Sequence, residues 1–257
     1  MLSKRPDGFH NLETCFYPLS WLDVLEIIPS ETFSFASTGY EIPGKQEENL
    51  CIKAYHLLKK EFDLPQVSIH LHKTIPMGAG LGGGSSDAAY TLRLINEKFE
   101  LNLSTTALVE YAAQLGSDCA FFIHSKPMLG TGRGEILSNI DVFLKGKYVI
   151  IIKPQIHVST ADAFAGITPK TSQYSIENTV TNLPIEAWKT VLKNDFEETV
   201  FRKFPAIKEI KEKLYAHGAI YASMTGTGAA VYGIFNDEIR LADEFPDTNI
   251  WSAEVTV

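Results

Sequence analysis

Pro76-Met77-Gly78-Ala79-Gly80-Leu81-Gly82-Gly83-Gly84-Ser85-Ser86-Asp87-Ala88-Ala89 places five glycines and two serines between an alternating apolar run and an amphipathic pattern. The run before it, Val67–Lys73 (VSIHLHK), alternates as a half-buried strand does. The stretch after it, Ser85–Phe99, carries apolar residues at helical spacing, with Asp87 suited to the first turn. Backbone amides without side chains can close around a phosphate chain, and a helix starting at the serines adds its positive end there. The stretch therefore reads as a phosphate cradle between a strand and a helix. A flexible surface loop is the plainer reading of a glycine cluster, but a linker has no reason to abut a helix start built from Ser and Ala.

Two better-known glycine loops do not fit. Gly78–Gly83 formally matches G-x-G-x-x-G, yet the preceding strand alternates where a central parallel strand is continuously apolar, and no acidic residue ends a second strand about 20 residues on. No Gly-Lys-Ser/Thr follows the glycines, which excludes a Walker loop. A second glycine turn, Thr225-Gly226-Thr227-Gly228, interrupts the apolar run Tyr221–Phe235. Alone it reads as a bulge or tight bend; paired with the first loop, it could close over a ligand from the other side.

Around these loops the chain alternates between strand and helix patterns. Strands are expected at Val24–Pro29, Phe33–Ala36, Lys147–Lys153 and Ile250–Val257, with a glycine-containing hairpin over Met128–Ile140. Helices are expected at Asn49–Phe62, from a Ser104 cap to Gly116, over Cys119–Ile123, and near Thr160–Ala165, Glu186–Lys193, Phe204–His217 and Asp237–Glu244. Lys170–Asn182 reads as a polar linker, and a domain boundary is expected near residue 146, giving units 1–145 and 146–257. This mixture lacks steady βαβ alternation and favours an α+β fold.

Composition narrows the function. The 257 residues are 45% hydrophobic and 21% charged, as in ordinary soluble globular proteins, and no run approaches the roughly 20 apolar residues that span a bilayer. A net charge of −8 argues against nonspecific nucleic-acid binding, but not against a phosphorylated small molecule held by backbone amides and a cation. Cys15, Cys51 and Cys119 are scattered, which suits reduced thiols in a cytoplasm; no secretory signal precedes Arg5.

Together, the PMGAGLGGGSSDAA loop and the TGTGAAV turn resemble the GHMP kinase superfamily of small-molecule kinases. RPDGFHNLET (Arg5–Thr14), Glu48-Asn49-Leu50, the triple-glycine loop and Leu115-Gly116-Ser117-Asp118 resemble the branch of that family acting on 4-diphosphocytidyl-2-C-methyl-D-erythritol. The resemblance implies a two-lobed fold, with a ribosomal-S5-type N-terminal lobe, a ferredoxin-like C-terminal lobe and the active site between them. It implies ATP-dependent phosphorylation of that substrate's 2-hydroxyl, with Mg²⁺, in non-mevalonate isoprenoid precursor synthesis. The partner it implies is a small molecule carrying a cytidine diphosphate, not a nucleic acid or a membrane.

The resemblance also assigns roles. Asp118 matches the catalytic base; from the residues alone it is equally a favourable first-turn charge. Gly78, Gly80, Gly82, Gly83, Gly84, Ser85 and Ser86 match the triphosphate loop, with a serine hydroxyl near Mg²⁺. Asn49 and Lys73 match nucleotide-pocket positions; a helix cap and a solvated strand-end charge are their plainer readings. His10 matches the reader of the cytosine edge, and Phe9 and Phe164 match an aromatic pair around the base. Thr225, Gly226 and Thr227 match substrate contacts. No separate metal ligands are assigned.

One departure stands out. The family carries an Ala-Lys-Ile/Leu-Asn-Leu strand upstream, whose Lys pairs with the catalytic Asp. No residue here matches it, since Lys4 belongs to another motif. The expectation is a start at an internal Met, with nucleotide contacts kept, phosphoryl transfer impaired and a sheet edge left open to self-association. The alternatives are another GHMP kinase, of homoserine or mevalonate type, and a noncatalytic nucleotide-binding protein.

Overall fold

The strand Val67–Lys73 is the middle of a three-stranded sheet, and its alternation is visible in the burial of Val67, Ile69, Leu71 and Lys73 against the more open Ser68, His70 and His72. The molecule is described from a computed structural model, which covers residues 1–169 and 174–256. In chain order the N-terminal elements are β1 (Ser3–Lys4), β2 (His10–Asn11), β3 (Thr14–Phe16), β4 (Val24–Pro29), β5 (Ser34–Gly39), α1 (Leu50–Lys59), β6 (Val67–Lys73), α2 (Gly83–Lys98), α3 (Thr105–Leu115), α4 (Cys119–His124), β7 (Met128–Thr131) and β8 (Ile136–Asn139). The C-terminal elements are β9 (Tyr148–Pro154), α5 (Thr160–Ala165), α6 (Ile176–Asn182), α7 (Ile185–Val191), α8 (Phe196–Lys203), α9 (Pro205–Ala216), β10 (Tyr221–Met224), β11 (Val231–Phe235) and β12 (Thr248–Glu254).

β6 runs antiparallel to β4 and parallel to β5. Its inward residues pack with those of α1, α2, α3 and α4, among them Tyr55, Leu58, Leu92, Ile95 and Ala112. A second small sheet, β3-β7-β8, lies beside it, and β1 pairs with β2. The C-terminal sheet is antiparallel in the order β10-β11-β9-β12, which is the ferredoxin-like arrangement expected of that lobe. Its central strand β9 is apolar without alternation because both faces are covered. Ile150 and Ile152 face one core with Val200, Ile207 and Leu214; Val149 and Ile151 face another with Leu129, Val180, Trp188 and Tyr221. That last core takes Ala79 and Leu81 from the glycine loop and Leu144 from before residue 146, so it draws on both halves of the chain.

Several elements differ from the reading of the sequence. Tyr221–Phe235 is not one interrupted strand but two, β10 and β11, paired antiparallel across the glycine turn. The stretch read as a polar linker contains α6, capped by Ser175, whose hydroxyl accepts the Asn178 N–H; Lys170–Ser172 and Gln173 lie outside the described residues. α8 was not expected at all. Of the helix expected at Asp237–Glu244 only a single tight turn, Ala242–Glu244, forms. The last strand begins earlier and ends at Glu254; Val257 lies outside the described residues.

Candidate active site

The glycine loop leaves β6 at Lys73 and enters α2 at Gly83, two residues before the serines. Gly82 caps the helix with φ of 70°, a left-handed conformation that glycine adopts without strain. The Ser86 N–H closes the first turn onto the Gly82 carbonyl at 2.9 Å. The amides of Gly83, Gly84 and Ser85 precede it and have no carbonyl one turn back to bond, so they form the donor set of a helix N-terminus. A Cβ at Gly84 would meet no atom within 4 Å, so this turn faces open space.

The second glycine turn reaches this loop directly. The Thr225 hydroxyl donates to the Gly80 carbonyl at 2.8 Å, and the Ala230 N–H donates to the Ala79 carbonyl at 3.1 Å. A Cβ at Gly80 would fall 2.3 Å from the Thr225 carbonyl oxygen, and one at Gly226 would fall 3.1 Å from the Gly80 oxygen. The approach of two backbones thus requires glycine at Gly80 and makes a side chain tight at Gly226. Gly226 is exposed and Thr225 and Thr227 are half-buried beside it. Gly78 packs against His157, where a Cβ would approach the ring to 3.2 Å.

α4 lies under the same loop. A Cβ at Gly82 would come within 2.9 Å of the Phe122 ring, and the Ser85 side chain lies near enough to the buried Cys119 thiol to pull its pKa down against the rise from burial. Asp118 stands at the start of α4, immediately before Cys119, on a helix that packs against α2. Its carboxylate makes no capping bond to its own helix, so the first-turn role is reduced to a charge effect. Asp118 is exposed, yet the protein packed around its carboxylate removes part of its hydration and raises its pKa, with no charged neighbour contributing.

Lys73 is not a solvated strand-end charge: it is 1% exposed. Its ammonium pairs with Asp23 and, at 2.8 Å, with Asp87. The other oxygen of Asp23 accepts the N–H groups of Thr74 (2.7 Å) and Ile75 (2.9 Å). This buried triad ties the end of β6 to the first turn of α2, with the Lys73 nitrogen 3.4 Å from where a Gly83 Cβ would sit. Burial pushes the Asp87 carboxyl up to about 7 against the opposing pull of Lys73. A direct contact of the Lys73 ammonium with a ligand does not stand in this geometry; Lys73 acts from beneath the loop. Its burial follows from parity, since Lys73 shares a strand face with Val67, Ile69 and Leu71. Asn49 caps α1, its Oδ1 accepting the Cys51 N–H at 2.8 Å, and Cys51 in turn senses the charges of the triad.

The aromatic candidates lie on the other side. The rings of His10 and Phe164 are 5.5 Å apart, and Phe164 meets Phe196 edge-on at 4.8 Å. Phe9 is 54% exposed, with the Arg133 guanidinium 5.0 Å above its ring. The Arg5–Asp7 ion pair and the Phe9 N–H bond to Asp7 hold this turn. Among the described ring contacts His10 thus meets Phe164, while Phe9 meets neither of them and is covered by Arg133 instead. Sequence reading missed Asn194, Glu197 and Asp23, which brace the two loops from elsewhere in the chain. A groove of about 760 Å³ between the β8–β9 connection and α6–α7 is lined by none of the candidates. No group of three or more His, Cys, Asp or Glu able to hold a metal ion occurs among the described residues, and no helix among them is long and apolar enough to cross a membrane.

Residues 49–126 match the family model of the GHMP kinases N terminal domain, and residues 183–247 match that of the GHMP kinases C terminal. The chain belongs to the GHMP kinases. This GHMP kinase is 52% identical over 252 residues to the 4-diphosphocytidyl-2-C-methyl-D-erythritol kinase of Bacteroides thetaiotaomicron, covering 96% of this chain and 92% of the relative. It is 50% identical over 237 residues to the enzyme of the same name from Cytophaga hutchinsonii, covering 92% and 87%. A solved 4-(cytidine 5′-diphospho)-2C-methyl-D-erythritol kinase superposes with a TM-score of 0.77 at 29% identity, covering 91% of this chain and 84% of that one. A homoserine kinase structure from Cytophaga hutchinsonii, at 17% identity and a TM-score of 0.69, shares the fold.

Proposed function

We propose that this GHMP kinase transfers the γ-phosphoryl group of ATP to the 2-hydroxyl of 4-diphosphocytidyl-2-C-methyl-D-erythritol, in the cytoplasm, as a step of non-mevalonate isoprenoid precursor synthesis. The observation that carries the reading is the interlock of the two glycine loops at Gly80 and Thr225, around a helix start whose first amides are left without carbonyl partners and whose Gly84 borders open space. Relatives of the same name, about half identical over nearly the whole chain, support the substrate.

In this reading the bare amides hold the triphosphate through the helix start. Asp118 accepts the proton of the attacking hydroxyl as the bond to phosphorus forms and the bond to the ADP oxygen breaks. Its raised pKa improves it as a base over an ordinary surface carboxylate. His10 and Phe164, with Phe9 alongside, take the cytosine, and Thr225, Gly226 and Thr227 face the rest of the substrate. Asn49 lines the nucleotide side at the start of α1, and Lys73 supports the loop from below. Mg²⁺ supplies charge neutralisation on the triphosphate. The Ser85 and Ser86 hydroxyls, in the first turn of α2, are the side chains that would help hold the ion beside the triphosphate.

The test is ADP release with the cytidine substrate set against homoserine and mevalonate at equal concentration. Turnover with the cytidine substrate alone supports the assignment. Turnover with homoserine or mevalonate instead overturns the substrate while leaving the kinase.

A further inference from the structure

Between α7 and α8, Asn194 spends every polar atom of its side chain on backbone. Its Nδ2 donates to the Met224 carbonyl at 2.7 Å and to the Gly226 carbonyl at 2.8 Å, while its Oδ1 accepts the Phe196 N–H at 2.9 Å. The amide orientation follows from this set, because the reverse placement would aim oxygen at two carbonyls. Three residues on, Glu197 is 9% exposed. One of its oxygens accepts the Met224 N–H (2.8 Å) and the Ser223 hydroxyl (3.0 Å), and the other pairs with Lys211 at 2.6 Å. Met224, the last residue before the glycine turn, is therefore gripped at both its N–H and its carbonyl by one short segment.

That segment also carries Phe196, whose ring meets Phe164 edge-on. The turn it grips carries Thr225, which bonds Gly80. A continuous path of contacts thus runs from Phe164 through Phe196 and Asn194 to Gly226, and on to the glycine loop. We infer that Asn194 is a positioning residue that couples the base pocket at Phe164 to the triphosphate loop at Gly80, so that filling one site tightens the other. This rests on the reading of Phe164 as a cytosine contact. A base against Phe164 restrains Phe196 and with it the Asn194 clamp; the turn then meets the glycine loop already ordered, and the second ligand has less to order. A brace that served stability alone would leave the two affinities independent.

The test is titration calorimetry on the full chain with the non-hydrolysable analogue AMP-PNP and with cytidine 5′-diphosphate, each alone and each in the presence of the other. Cytidine diphosphate should tighten AMP-PNP by about five-fold or more, and AMP-PNP should tighten cytidine diphosphate by the same factor. Asn194→Asp keeps the acceptor for Phe196 but turns oxygen toward the Met224 and Gly226 carbonyls. It should abolish the mutual tightening while cytidine diphosphate alone binds as before. If this variant does not fold, Asn194→Ala, which removes the donors without adding charge, is read with the same outcomes. Independent binding of both ligands to the parent, or full coupling retained in the variant, overturns the inference and leaves the proposed function standing. AMP-PNP binding without any binding of cytidine diphosphate overturns the base pocket, and the inference with it.

Discussion

The Thr225 hydroxyl donates to the Gly80 carbonyl across 145 residues of sequence. The contact makes one composite structure of two glycine segments, each of which taken alone reads as a loop or a bend. A phosphate site of this kind needs backbones, not side chains, to come together. The absence of Cβ atoms at Gly80 and Gly226 is what permits it.

Two glycines in this loop should respond in opposite ways to alanine. Gly80→Ala introduces a methyl 2.3 Å from the Thr225 oxygen at a φ of 73°. It should destabilise by at least about 1 kcal/mol and weaken AMP-PNP binding. Gly84→Ala meets no atom within 4 Å and lies in helical backbone. It should raise the melting temperature slightly, in line with the roughly 0.5–1 kcal/mol that alanine gains over glycine in a helix, and still weaken AMP-PNP. Unchanged affinity in Gly84→Ala would place the triphosphate elsewhere.

Asp118→Asn should lower kcat by about 10²–10⁴-fold while AMP-PNP binds normally, read by ADP release and calorimetry. Because desolvation raises the Asp118 pKa, the acid limb of the pH–rate profile should lie above the ordinary carboxylate value of about 3.9. The same shift works against stability. The folded state holds a proton that the unfolded state has released between the two pKa values, so stability falls as pH rises through that window. At neutral pH the asparagine variant should therefore melt higher than the parent although it turns over far more slowly.

Lys73→Met leaves Asp23 and Asp87 facing each other without their shared cation. Loss of one member of a buried ionic group costs about 3–5 kcal/mol, so the urea midpoint should fall sharply. A shift of only a few tenths of a kcal/mol would mean that the triad contributes little to holding β6 against α2.

Phe164→Ala removes the ring that meets both His10 and Phe196. Stacking worth about 1–3 kcal/mol per base would be lost, raising KM for the cytidine substrate by about ten-fold or more. KM for both substrates changing equally, or neither changing, would remove Phe164 from the base pocket.

The parts of the fold that were legible are those whose pattern repeats locally. β6 and the helix after the glycines follow from alternation and from helical spacing, and Ser104 and Gly116 bound α3 as cap residues do. β1, β2 and β3 are two or three residues long and hold no period to read. α6 lies in a polar stretch and was hidden by composition, although Ser175 marks its start. The site divides the same way. The glycines and Asp118 announce themselves by motif, whereas Asp23 reaches Lys73 across 50 residues and Asn194 reaches Met224 across 30, distances at which no local pattern survives. Lys73 was open to correction by strand parity, but a charged residue at a strand end invites the assumption of solvent.

The burial of Lys73 has a consequence for chemical profiling. Nucleotide reagents that acylate a lysine amine near the phosphates depend on an amine that can meet the electrophile. Here the amine at that position is walled in and shared by two carboxylates. Such reagents should leave Lys73 unlabelled even when the nucleotide itself is bound.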